Sequence, residues 1–214
     1  MRRLRPFTVV LGLAALVALA FLTIPIVALF TQSSPSQTLH HLDDPVVRDA
    51  LIVTAKTNAI AFGATLLIGT PAAYLIGRRR FPGRALVITL IELPLVLPPA
   101  VAGIGLLAAF GRLGLLGEEV SALGIDVAFT QLAVVLSIAF VAGPFYLRQA
   151  IATFEALDDD LILAARTLGA GPGRAFWRVA LPLSTGGLSA GAALCLARGI
   201  GEFGATLLIG TPAA

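Results

Sequence analysis

The sequence predicts an all-α integral membrane protein with about five transmembrane helices and a single polar helical loop between the fourth and the fifth. Three observations carry this. Of its 214 residues, 57% are hydrophobic and only 13% charged, with a mean hydropathy of +0.94, so charge is too sparse to cover a soluble domain. Apolar runs long enough to cross a bilayer recur along the chain. The charged residues gather in the segments between them, with arginines on alternate sides. Residues 1–214 are expected to form one transmembrane domain.

The first run, residues 7–30, is uncharged and follows Arg2, Arg3 and Arg5. A signal peptide is the competing reading. The run is far longer than the roughly 7–15 residues of a signal core, and no convincing small-residue cleavage site follows, so a retained span is expected. Residues 31–50 form a polar loop with Ser34-Pro35 and Asp44-Pro45, including a short helix near Val46. The adjacent His40 and His41 point to different sides of any regular element and lack a spaced third ligand, so no metal site is expected. The second span covers 51–77, with Lys56 and Asn58 near its entrance, where a lysine can snorkel. Arg78, Arg79, Arg80 and Arg84 follow it at once.

The third span, 85–110, contains IELPLVLPPAVAGIG, with Glu92, Pro94, Pro98 and Pro99. Proline removes helix hydrogen bonds, and broken backbone survives at membrane depth only when buried in protein or lining a cavity. A second polar loop, 111–126, carries Glu118 and Glu119. The fourth span is placed at 127–147, with Gly143-Pro144 near its end, and the fifth at 183–210. The lone Cys195 excludes an intrachain disulfide.

Positive-inside counting sets the orientation. With the N-terminus in the cytoplasm, the inner segments hold eleven arginines: Arg2, Arg3, Arg5, Arg78, Arg79, Arg80, Arg84, Arg148, Arg166, Arg174 and Arg178. The outer loops hold two, Arg48 and Arg112. The net charge of +3 is thus a topology signal, and no nucleic-acid partner is expected.

Residues 155–182, EALDDDLILAARTLGAGPGRAFWRVALP, then face the cytoplasm. Asp158, Asp159 and Asp160 supply an N-cap and first-turn acids. Leu157, Leu161, Ala164, Ala165 and Leu168 recur at helical spacing, Arg166 occupies the last turn, and Gly169 suits the left-handed C′ position. Gly171 and Pro172 open a second short helix. The pair of helices joined by a glycine turn is either a connector lying on the bilayer or a docking element.

Arg198 and Glu202 stand four apart in ARGIGEFGAT, so on a helix they share a face. Either they neutralise each other inside the bundle, or Arg198 lends positive potential to an anion path while Gly199, Gly201 and Gly204 permit a bend. The candidate pathway residues are Glu92, Pro94, Pro98, Pro99, Arg198, Gly201, Glu202 and Phe203, with Glu92 open to a partner from another span.

The spacing in the cytoplasmic loop favours the docking element over the connector. Leu163-Ala164-Ala165 is followed by three residues, Gly169, nine residues, and Val179-Ala180-Leu181-Pro182. This resembles the EAA motif of ABC importer permeases, with Leu163 where that family usually has Glu and Val179 where it has Ile. ELPLVLPPAVAGIGLL, AGPFYLRQA, AARTLGAGPGRAFWRVALPLS and ARGIGEFGATLL extend the resemblance over roughly 51–208, to the molybdate permeases and, in general pattern, the sulfate permeases.

The resemblance implies a permease subunit for molybdate or tungstate, with sulfate or thiosulfate as the alternative, in a bacterial or archaeal cytoplasmic membrane. It implies a permease homodimer, two ABC ATPase subunits and an extracytoplasmic substrate-binding protein as partners, besides the lipid bilayer. Leu163, Ala164, Ala165, Gly169, Ala170 and Pro172 would couple to the ATPase. No cofactor is expected in this subunit, ATP and Mg belonging to the ATPase, since the chain has no GxxxxGK[ST] loop and the glycines of Gly103-Ile104-Gly105 lie in a span. The other classes are an ion-coupled secondary transporter using Glu92 or Glu202, and a structural or signalling membrane subunit.

FGATLLIGTPAA occurs at 62–73 and again, identically, at 203–214. A structural repeat would diverge and extend further. The expectation is therefore that the second copy replaces a native continuation, leaving a truncated C-terminus with five spans where the family has six.

Overall fold

A computed structural model describes residues 6–32, 44–124, 127 and 129–202. The chain divides into two compact units, Met1–Ile52 and Val53–Ala214.

In the first unit, α1 (Pro6–Gln32) is apolar on every side, and most of its side chains are exposed. Its 27 residues reach about 40 Å at 1.5 Å per residue, enough to cross a hydrocarbon core of about 30 Å. The unit also holds the start of α2 (Pro45–Arg78). Asp44 Oδ1 accepts the Val46 amide at 2.9 Å, and Pro45 fills the first helical position. The Asp44-Pro45 pair, assigned to a loop from sequence, is a helix start. The short helix near Val46 is continuous with the second span, which begins at Pro45 rather than 51.

The second unit is built around α6 (Gln131–Glu155). α2 runs parallel to it: Gly69 lies against the Tyr146 ring, and Gly77 against the Ile151 carbonyl and Phe154. α9 (Leu181–Ile200) runs antiparallel, with Gly187 on Thr153, Gly191 on Gln149, and Gly199 on Ile138 and Asn58. A Cβ on Gly191 would stand 2.9 Å from Gln149 Cβ. Lipid supplies no hydrophobic drive between helices, so close backbone approach through small residues is what gives this contact its van der Waals energy. Ser184, Leu188, Gly191, Cys195 and Gly199 form the buried stripe.

The third span is two helices, α3 (Arg84–Val96) and α4 (Pro99–Phe110), whose axes differ by 120°. Leu97 and Pro98 between them are extended, with ψ of 133° and 139°. Each precedes a proline, whose ring drives the preceding residue out of the helical region. The proline-broken backbone expected in the span at 85–110 is thus a pair of helices. Four helices are long and apolar enough to cross a membrane among the described residues, or five with this pair counted as one. At the far end of α4 the chain folds back, the amides of Leu115 and Leu116 donating to the carbonyls of Ala108 and Ala109, both at 2.9 Å. Those carbonyls are thereby satisfied where lipid offers no partner. The short α5 (Gly117–Ala122) lies within the loop expected at 111–126.

α6 runs two turns beyond the expected end at 147, because those turns bury Ile151 and Phe154 in the core. The loop's second short helix is also corrected. α8 (Pro172–Ala175) passes through a π-helical turn, Phe176–Ala180, directly into α9, so one rod covers Pro172–Ile200. Pro182 has no amide to offer Arg178, and the wide turn lets the Leu181 amide bond to Phe176 O instead. The last span thus starts eleven residues before 183; α9 ends at Ile200, and 203–214, with the second repeat copy, lies outside the described residues.

Candidate functional site

The loop between α6 and α9 is closed by local chemistry. α7 (Asp159–Thr167) is N-capped by Asp158, whose Oδ1 accepts the Asp160 amide at 2.9 Å. At its other end Gly169 has φ +86°, its amide bonds to Arg166 O, and the Ala170 amide bonds to Ala165 O, each at 3.0 Å. This pair of bonds is a Schellman closure, which needs the left-handed residue that glycine adopts without strain. Gly171 is extended and Pro172 opens α8.

No residue of α7 is buried. Leu161, Leu163 and Leu168 are exposed, Leu168 at 89%, as are Ala164, Gly169 and Pro172, while Ala165 and Ala170 are half-buried. Of the six residues expected to couple, four are therefore exposed and two half-buried, and no side chain of α7 is buried in this chain.

Two arginines fasten this loop to the spans. Arg78 Nη1 donates to Leu157 O at 2.7 Å, and the same guanidinium pairs with Asp159. Arg84 Nε donates to Ile76 O at 2.8 Å and its Nη2 pairs with Glu155. Sequence reasoning took both for topology signals. Beneath the loop, Tyr74 of α2 meets the Phe154 ring of α6 edge-on at 5.2 Å and the Phe176 ring of the π turn at 4.8 Å. These rings join three spans under the loop, and no spacing in the sequence singles them out.

The candidate pathway residues fall at two levels. Glu92 of α3 pairs with Arg148 of α6 at 3.2 Å, the partner from another span left open by the sequence. Pro94 is buried beside them and lines a cavity of about 310 Å³ with Thr65, Ala139 and Gly143. Pro98 and Pro99 form the break into α4. Arg198 pairs with Glu202 at 2.7 Å, the carboxylate side chain being 1% exposed. Gly201 caps α9, so Glu202 lies just past the helix end rather than within it; Phe203 lies outside the described residues.

The two ion pairs are not brought together. Gly199 packs at Ile138 of α6 whereas Glu92 meets Arg148, ten residues or about 15 Å along the helix. Asn58, placed near a span entrance from sequence, is buried, and its Oδ1 faces Gly199 beside Arg198. Tyr146 and Thr70 share a hydrogen bond of 2.5 Å between α6 and α2.

Residues 69–214 match the family model of the binding-protein-dependent transport system inner membrane component. The chain belongs to that family. As a member it is an all-α, multi-pass membrane component of a transport system. It is similar to the molybdenum transport system permease protein ModB of Mycobacterium tuberculosis, 41% identical over 197 residues, 91% of this chain and 74% of that one. It is equally similar, at 41% over 159 residues, to the ModB protein of Escherichia coli K12, covering 74% of this chain and 69% of that one. The sulfate transport system permease protein CysT of Escherichia coli K12 is 36% identical over 212 residues, 97% of this chain and 76% of that one. The permease match includes the broken third span and the whole of the loop.

Proposed function

We propose that this chain is the membrane subunit of an ATP-driven ABC importer for molybdate or tungstate. The observation that carries the reading is α7 with Leu163 and Ala164 exposed on it and Gly169 in the Schellman turn that closes it, at the EAA-type spacing. Such a helix fits the groove of a partner ATPase, which would bind ATP and Mg and do the hydrolysis. The arginine distribution supports a cytoplasmic N-terminus and a cytoplasmic loop. Two permease copies would enclose the pathway, and an extracytoplasmic binding protein would deliver the oxyanion. Closure of the ATPase dimer would press on α7. The ties of Arg78 and Arg84 and the Tyr74–Phe154–Phe176 rings would pass that push to α2, α6 and the last rod, switching the pore between inward-open and outward-open.

Molybdate is favoured by the 41% identity to permeases named for molybdenum transport. A sulfate permease is the second reading, favoured by the 36% identity to CysT over almost the whole chain. The test is uptake of labelled molybdate by the assembled transporter, with and without a large excess of sulfate. Uptake that survives sulfate and needs a copurifying ATPase supports the reading; strong inhibition by sulfate would transfer the assignment to sulfate. Uptake without any ATPase would point to ion coupling instead.

A further inference from the structure

Next to the loop, the end of α2 and the facing sides of α7 and α8 line an open cavity of about 420 Å³. Its lining is divided by chemistry. Arg78, Arg79 and Arg166 bring three guanidinium groups; Tyr74, Leu75 and Ile162 form apolar wall. One carboxylate, that of Asp159, also lines it, and it is already paired with Arg78. The side chains of Arg79 and Arg166 have no ion-pair or hydrogen-bond partner among the described residues, so the cavity keeps an excess of two positive charges. The position is equally specific, since Tyr74, Leu75 and Arg78 belong to the last turn of a membrane-spanning helix and Arg79 follows it, where apolar surface gives way to polar surface.

We infer that this cavity binds the phosphate headgroup of an anionic phospholipid. A tetrahedral oxyanion matches the fork of two guanidinium groups, and such charge-assisted bonds are stronger than neutral ones. A free oxyanion would share that chemistry, but it leaves the apolar wall unused. A lipid uses both, its phosphate between Arg79 and Arg166 and its glycerol region against Tyr74 and Leu75. Arg78 is committed to Leu157 and Asp159, so it frames the site rather than supplying the free charge. Because Arg79 directly follows the last residue of α2 and Arg166 lies on α7, the bound headgroup bridges the end of a span to the loop.

The single tryptophan reports on the site. Trp177 meets Phe176 edge-on at 5.2 Å, and Phe176 meets the cavity's Tyr74 ring, tilted, at 4.8 Å. The full chain, in its assembled complex with labelled tryptophan confined to this subunit, is placed in phosphatidylcholine nanodiscs. A minor fraction of brominated phosphatidylglycerol or of brominated phosphatidylcholine is then included. Stronger quenching by the anionic lipid is expected, falling about fivefold in apparent affinity for each arginine removed, the equivalent of about 1 kcal/mol per charge near an anionic headgroup. Arg79→Gln with Arg166→Gln should erase the preference, and Arg174→Gln, outside the cavity, should keep it. Equal quenching by both lipids in the native chain overturns the inference, as does a preference unchanged in the double variant. Equal quenching by both lipids, with a tryptophan response to inorganic phosphate at constant ionic strength that the double variant lacks, would assign the site to a free oxyanion and overturn the lipid. Quenching indifferent to headgroup, with ATPase copurification lost in the double variant, would assign the arginines to the protein partner and likewise overturn it.

Discussion

Arg78, the last residue of α2, donates from Nη1 to the carbonyl oxygen of Leu157 over 2.7 Å, fastening the loop entry to a neighbouring span at a backbone atom. The same side chain reaches Asp159, one residue into α7. A loop held this way moves with α2, which is what a mechanical link to a pore requires. The two contacts are unequal. Arg78 is only 13% exposed, whereas the Asp159 side chain is 82% exposed, so its ion pair is screened by solvent.

Arg78→Gln is therefore expected to reduce coupled transport about tenfold, the loss of a hydrogen bond between a charged donor and a half-buried carbonyl being worth about 1.5 kcal/mol. Asp159→Asn should change it less than twofold, since exposed ion pairs contribute little. Transport per assembled complex measures both, and a larger loss in Asp159→Asn would show that the ion pair rather than the carbonyl contact holds the loop.

Gly169→Val puts a β-branched side chain at φ +86°. Left-handed backbone costs about 1–2 kcal/mol for ordinary residues and more for branched ones, enough to open the Schellman closure. Membrane insertion should be unchanged, because Gly169 is exposed and a Cβ there meets nothing within 4 Å. Substrate-stimulated ATPase activity of the reconstituted complex should be lost; retention at the native level would mean that the turn has no part in coupling.

Within α9, neighbouring glycines should behave in opposite ways. Gly191→Leu pushes a side chain into Gln149 and Tyr146, and a displaced α9 should lower the thermal midpoint and the yield of folded protein. Gly186→Ala meets nothing within 4 Å and should be neutral or stabilising by about 0.5–1 kcal/mol through helix propensity. Thermal unfolding in detergent distinguishes them, and equal effects would contradict the close α6–α9 contact.

Tyr146→Phe deletes the hydroxyl that meets Thr70 at 2.5 Å while keeping a ring that is 2% exposed. Hydrogen bonds between membrane helices average about 0.6 kcal/mol, so a small decrease in stability is expected. Tyr146→Ala should cost several-fold more, about 3–5 kcal/mol, because Gly69 and Gly191 both pack on the ring. Similar losses in the two variants would place the energy in the hydroxyl instead.

What the sequence determined by itself is what short stretches of chain control. Apolar length and arginine asymmetry gave the class and the number of spans, because transfer into lipid depends on about twenty consecutive residues and not on neighbours. The loop was legible for the same reason. Asp158 as cap, Gly169 as the left-handed turn and Pro172 as a helix start act within a few residues, and all three occur where expected. The motif spacing, likewise local, carries the resemblance to transport permeases.

Tertiary structure decided which side chains meet, since that depends on how spans far apart in sequence are juxtaposed. Glu92 with Arg148, Arg84 with Glu155 and Tyr146 with Thr70 are 56 to 76 residues apart, and nothing in local pattern selects them. Packing also fixed the span ends. Charge at Arg148 suggested that α6 stops, but burial of Phe154 and the pairing with Glu92 carry it to Glu155. Pro182 suggested a separate last span, but a π-helical turn absorbs the missing amide and joins α8 to α9 in one rod. In each case a local signal of interruption lost to burial or to a rearranged hydrogen bond, because a membrane interior penalises an unsatisfied or unpaired group more than it penalises an irregular turn.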